Sequence, residues 1–196
     1  MDKTDIGLKL FKRSPWLLSA LVLTVFDQWT KHLAASNLKG EPFVLIPGVL
    51  ELTYTENTGA AWSMLAGKQT LLIVITALML GAVLWALIDG KWHHPVLQIG
   101  ETLLVAGGLG NLIDRVWNDY VVDFIYVKAI NFPVFNVADC CVCCGAGLLL
   151  VYVIFLEKGD ARGDKASAAG GNGGGTAGQN DSAGPLGDEG NGTKMD

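Results

Sequence analysis

Thr70-Leu71-Leu72-Ile73-Val74-Ile75-Thr76-Ala77-Leu78-Met79-Leu80-Gly81-Ala82-Val83-Leu84-Trp85-Ala86-Leu87-Ile88 runs from end to end without a charged side chain. An α-helix rises about 1.5 Å per residue and the hydrocarbon core of a bilayer is about 30 Å thick, so roughly 20 such residues cross it. Three other apolar stretches are of similar length: Pro15 to about Ala35, Val96 to Ile113, and Val137 to Leu156. Composition agrees, with 51% hydrophobic and only 17% charged residues among 196 and a mean hydropathy of +0.38. Soluble domains carry about a quarter charged residues, which argues against a water-soluble globule. The expected fold class is therefore an all-α membrane protein: four transmembrane helices with a small extracytoplasmic β-sheet and an interfacial segment.

The sheet is expected in the segment from about Ser36 to Gln69, which is too long for a turn between helices. Val49-Leu50-Glu51-Leu52-Thr53-Tyr54-Thr55 alternates apolar and polar residues, the period of a half-buried strand, and Phe43-Val44-Leu45-Ile46 is placed to pair with it across Pro47-Gly48. The segment from Val116 to Phe135, with Trp117, Tyr120, Phe124 and Tyr126, reads as an interfacial stretch lying along the headgroups. The first apolar stretch follows Lys9, Lys12 and Arg13 but ends in Phe26-Asp27-Gln28-Trp29-Thr30-Lys31 with no small-x-small cleavage site, so it reads as a retained anchor. More of the Lys and Arg residues near helix ends fall on the N-terminal side of the membrane, which places both termini in the cytoplasm.

The net charge of −5 is concentrated beyond Gly159, where Asp160, Asp164, Asp181, Asp188, Glu189 and Asp196 face only Arg162, Lys165 and Lys194. That Gly-rich region, which includes Gly170-Gly171-Asn172-Gly173-Gly174-Gly175, has too little apolar surface to offset its ordering entropy. The chain accordingly divides into a membrane domain, 1–158, and a disordered cytoplasmic tail, 159–196. No basic stripe is present, so nucleic acid is not an expected partner.

Ionisable groups at membrane depth are expensive and mark function or its support. In this topology three polar patches meet the same, outer interface. Asp27 and Lys31 end the first helix in the i,i+4 order that favours an ion pair. Asn111, Asp114 and Arg115 share a face of the third helix after Gly107-Gly108-Leu109-Gly110, glycines suited to close helix packing. Asn136 and Asp139 begin the fourth, where Asn136 also reads as a helix cap. Asp123, in Val121-Val122-Asp123-Phe124-Ile125, lies on that side too, although a lone acid in such a setting is also read as a surface residue. Two carboxylates in one low-dielectric site share a proton, the arrangement that activates water in aspartic proteases. Residue spacing leaves open whether the pair is Asp123 with Asp139 or Asp114 with either. Cys140, Cys141, Cys143 and Cys144 spread around a helix and read as small packing residues; neither a metal nor a cofactor is expected.

Taken in order, Phe26 to Lys31, Glu56-Asn57-Thr58-Gly59-Ala60-Ala61-Trp62, Gly107 to Arg115, Val121-Val122-Asp123-Phe124 and Phe135-Asn136-Val137-Ala138-Asp139 resemble the blocks of lipoprotein signal peptidase, the bacterial type II signal peptidase. The resemblance covers roughly residues 10 to 158. It implies an aspartic endopeptidase of the inner membrane with Asp123 and Asp139 as catalytic pair and Asp114 in support. Asn57, Asn111, Arg115 and Asn136 would position substrate or support the site, and Asp27 and Lys31 match family positions near it. The implied substrate is a diacylglyceryl-modified prolipoprotein, cut before the lipidated cysteine by a monomeric enzyme in contact with membrane lipid. Two readings compete from other classes: an ion-coupled transporter, and a scaffold whose polar residues only hold helices together.

Overall fold

In the computed structural model, residues 3–59, 67–89 and 94–156 are described; the tail expected from Gly159 lies outside them. The elements run α1 (Lys3–Asn37), β1 (Phe43–Ile46), β2 (Leu50–Asn57), α2 (Gln69–Asp89), α3 (Pro95–Asn118), β3 (Val121–Val127) and α4 (Val137–Val151), the last continued by a π turn over Tyr152–Leu156. Among the described residues, three helical segments are long and apolar enough to cross a membrane: Gln69–Asp89, Pro95–Asn118 and Val137–Leu156.

The first helix starts well before the expected Pro15 and runs through it. A proline inside a helix deprives the carbonyl four residues back of its donor. Here the orphan is Phe11 O, and the Ser14 hydroxyl donates to it at 2.8 Å. Further along, α1 buries Ala20 and Thr24 against α3, with Thr24 Oγ1 donating to Ala106 O at 3.2 Å. Opposite them Leu18, Leu21, Val22 and Val25 are exposed.

Helix α3 packs against α1, α2 and α4 and is the most buried of the three apolar helices. It opens with Pro95 at its first position, and His94 Nδ1 accepts from Val96 N at 3.3 Å. In lipid, helices gain little from hiding apolar surface and associate by close packing instead. Gly100 and Gly145 provide this packing by facing each other across the α3–α4 contact. A side chain at Gly107 would collide with the Ala138 carbonyl, and one at Gly110 with the Asp27 carboxylate. Helix α2 buries only Leu72 and Leu87 and leaves Leu78, Met79 and Trp85 on the outside.

The three strands form an antiparallel sheet in the order β1-β2-β3. The expected hairpin forms: Val49 N donates to Ile46 O at 2.9 Å across Pro47 and Gly48, with Gly48 at φ 72°, the positive φ that a proline–glycine turn of type II demands. Within the expected interfacial segment the chain forms a strand that the sequence pattern did not announce. Val121–Val127 pairs along β2, and its first four residues are all buried. A strand covered on both faces reads as a continuous apolar run, so the alternation that marked β2 is missing from β3. Only residues around it, such as Trp117 and Ile130, are exposed in the way an interfacial segment requires.

Between Leu52 and Thr55 the β2–β3 register slips: Leu52 pairs with Ile125, whereas Thr55 pairs with Asp123 and Asn57 with Val121. One extra residue in β2 is a β-bulge, a device that re-aims side chains. It puts Thr55 and Asn57 on the face of the sheet that carries Asp123. The sheet seats on the end of α1 through Ala34, Leu38, Val122 and Phe124.

Candidate active site

The polar residues picked out above converge where α1 and α3 end, α4 begins and the sheet abuts them. Asn136 is the hub. As N-cap of α4 it accepts from Asp139 N at 2.9 Å, while Asp139 Oδ2 accepts from Asn136 N at 3.1 Å, a reciprocal capping box. The same side chain, wholly buried, donates through Nδ2 to Asp123 Oδ1 at 2.7 Å and to Asn111 Oδ1 at 3.2 Å. Asn136 thus caps α4 and at the same time touches Asp123 and Asn111.

Asp123 is 2% exposed, which contradicts its reading as a surface acid. Its second oxygen accepts from Asn57 Nδ2 at 2.9 Å, and Asn57 is itself held by accepting from Gly59 N at 2.9 Å. Burial lifts the Asp123 carboxyl from an ordinary 3.8 to about 6, helped by the charge of Asp139 and opposed by the two asparagine hydrogen bonds and by Lys31. Asp139 is less buried and accepts from Asn111 Nδ2 at 2.8 Å. Asn136 therefore sits between two carboxylates, touching one with its amide and locking the other with its backbone.

Arg115 donates to Gly59 O at 3.0 Å and to Asn111 O at 3.3 Å; its buried Nε has no partner among the described residues. Asp27 and Lys31 form the expected i,i+4 pair at 2.8 Å, and Lys31 Nζ also lies 2.9 Å from Asp114 Oδ2. Asp27, Lys31 and Asp114 are each no more than 3% exposed. Asp114 is thus paired with a cation, whereas among the described residues Asp123 accepts hydrogen bonds from asparagines only. Gln28 escaped the sequence reading despite lying beside Asp27: its Nε2 donates to Asp114 Oδ1 and to Gly110 O, each at 3.0 Å. Its spacing of three from Lys31 on the same helix was the available signal.

Asp123 and Asp139 both open onto a cavity of about 550 Å3, walled by Thr55 and Asn57 of β2, Val121 of β3, Asn111 and Arg115 of α3, Phe132 to Phe135, and Val142 and Cys143 of α4. Thr55 was not anticipated; the bulge puts it there. Of the four cysteines Cys141 is buried and the others are exposed, all as free thiols. The arrangement presents two carboxylates, several amide donors and a guanidinium around an apolar-walled space large enough for a peptide segment.

Residues 19–155 match the family described as Signal peptidase (SPase) II. Among curated relatives, the chain is 41% identical over 144 residues to the lipoprotein signal peptidase of Enterococcus faecalis, covering 73% of this chain and 89% of that one. It is 38% identical over 144 residues to that of Latilactobacillus sakei subsp. sakei, covering 73% and 95%. A solved bacterial membrane enzyme superposes with a TM-score of 0.67 at 37% identity, over 72% of this chain and 88% of its own.

Proposed function

This chain belongs to the signal peptidase II family, a family of membrane proteases, and on that premise we propose that it cleaves prolipoproteins with Asp123 and Asp139 as an aspartic dyad. The observation that carries the reading is Asn136, which bonds both carboxylates at the rim of one cavity. Asp139, the more open of the two, takes a proton from water as it attacks the scissile carbonyl. Asp123, whose burial favours the neutral form, donates to the developing oxyanion and helps protonate the leaving amine. Asn57, Asn111 and Arg115 orient the peptide, with the Arg115 Nε supplying a donor not taken by the described residues. Asp27, Lys31, Asp114 and Asn136 hold the frame. The bond cut is the one preceding a diacylglyceryl-modified cysteine.

In this reading α1 is a fourth membrane crossing. Its outward face carries Leu18, Leu21, Val22 and Val25, while the charges that lower its hydropathy, Asp27 and Lys31, are buried against α3 and α4 and never meet lipid. Both termini then lie in the cytoplasm, and the sheet and site lie at the outer face of the inner membrane. Asp27, Asp114, Asp123 and Asp139, gathered at one end of the bundle apart from Glu101 beside Arg13, suit a site that receives a membrane-embedded substrate laterally and water from outside; a transport path would need a chain of such groups across the bilayer.

The test is cleavage of a synthetic diacylglyceryl-prolipoprotein by the purified protein in detergent, beside Asp123→Asn and Asp139→Asn, with melting curves for all three. Cleavage before the lipidated cysteine by wild type, with both folded variants inactive, is expected. An inactive wild type on a verified substrate, or normal turnover by either variant, overturns the reading.

A further inference from the structure

The two proposed catalytic aspartates stand on different elements, and each follows a residue whose backbone N–H is taken by a buried carboxylate from elsewhere. Val122 N donates to Asp114 Oδ2 at 3.2 Å, one residue before Asp123. Ala138 N donates to Asp27 Oδ1 at 2.8 Å, one residue before Asp139. Both carboxylates close on one ammonium: Lys31 Nζ lies 2.8 Å from Asp27 Oδ2 and 2.9 Å from Asp114 Oδ2. Its remaining donor goes to Asn111 Oδ1 at 2.8 Å, and Asn111 donates in turn to Asp139. An ammonium has three donors, and each of these leads in one further step to Asp139 or to the backbone beside one of the pair.

We propose that Lys31 is a positioning residue that sets the separation of Asp123 and Asp139, tethering β3 through Asp114 and α4 through Asp27 to a single point on α1. The inference rests on the aspartic reading above and adds to it the device that brings a strand and a helix into register. Stability alone is a poor account of this cluster, because a buried ion pair is often no more stabilising than apolar side chains of the same volume. The surroundings are also shaped for it. Gly110 leaves α3 bare where the Asp27 carboxylate crosses, and Gln28 braces Asp114 from the same turn of α1. Lys31 acts on the pair electrostatically as well: it favours the ionised form of Asp123, whose other charged neighbours are Asp139 and Arg115.

The experiment compares wild type, Lys31→Met and the charge-balanced Lys31→Met/Asp114→Asn, full-length in detergent, on the synthetic diacylglyceryl-prolipoprotein. It reads kcat, KM, the pH profile of kcat/KM and melting. Expected in a folded variant is a fall in kcat of about 100-fold, the scale of a 1 Å misplacement, with KM within about threefold. In Lys31→Met the alkaline limb moves to higher pH, because the cation that favours ionised Asp123 is gone, and in the charge-balanced variant it moves less. Wild-type kcat in a folded variant, a loss confined to KM, or an unmoved pH profile in folded Lys31→Met overturns the proposal. So does failure of both variants to fold, which would make Lys31 a residue of global stability. Inactive wild type would remove the aspartic reading and this inference with it; active wild type beside a fully active variant removes the inference alone.

Discussion

Replacing Asp123 by Asn is expected to abolish turnover and to make the protein gain on wild type in stability as pH rises. Burial raises the Asp123 carboxyl from 3.8 to about 6, so the folded state holds that proton more tightly than the unfolded chain does. Stability is therefore greatest below pH 4, falls as pH rises through the window between the two values, and carries the full penalty above 6. Two units at about 1.4 kcal/mol each bring the penalty to about 3 kcal/mol. Asn does not titrate and escapes it. Against this, an amide at 123 must turn its NH2 toward either Asn57 Nδ2 or Asn136 Nδ2, both donors, and one mismatched buried donor costs about 1–3 kcal/mol. The net effect at one pH is then small, but its change with pH is not. Melting both proteins in detergent from pH 4 to pH 7.5 should show the variant gaining up to about 3 kcal/mol on wild type, about 6–12 °C for a chain of this size. A difference independent of pH would refute the assignment of Asp123 as a carboxyl raised by burial, and retained turnover would refute its place in the dyad.

Asn136→Ala removes a helix cap, for about 1–2 kcal/mol, and frees both carboxylates at once; the melt should drop modestly while cleavage falls by at least about 100-fold. Gly110→Ala drives a methyl into the Asp27 carboxylate and should cost about 1–3 kcal/mol together with activity, whereas Gly147→Ala, with open space around it, should melt and cleave like wild type. The profile of kcat/KM against pH should be bell-shaped, with its alkaline limb near the value of about 6 set by Asp123; a profile flat from pH 5 to 9 would contradict a shared-proton pair.

The helices were legible because an uncharged run such as Thr70 to Ile88 admits few other readings, and β2 because one of its faces is polar. β3 was not, since burial on both faces erases the two-residue period that would announce it. The length of α1 was hidden by Pro15, whose missing donor is made good by a serine hydroxyl. In the candidate site, the i,i+4 pair and the cap of α4 depend on local spacing and could be read directly. Asp114 and Asp123 could not be told apart from spacing, because what separates them is long-range: Lys31 from α1 reaches one, and Asn57 from β2 the other. Thr55 was invisible for a related reason, since no residue in the strand advertises the bulge that turns it inward.

That bulge makes β2 a sequence with a reading frame. Side chains along a strand are counted in twos, and the extra residue between Leu52 and Thr55 changes the parity of everything after it. A regular ladder running on from Leu52 with every residue kept would set Tyr54 opposite Asp123 and carry Thr55 and Asn57 to the other face of the sheet. Removing one of Thr53 and Tyr54 would straighten the ladder and leave Thr55 opposite Asp123, whereas inserting one residue between Thr55 and Asn57 would turn Asn57 away from it. Length variation past the bulge is thus constrained by evenness rather than by size, and a single insertion there would act as a frameshift in the candidate site.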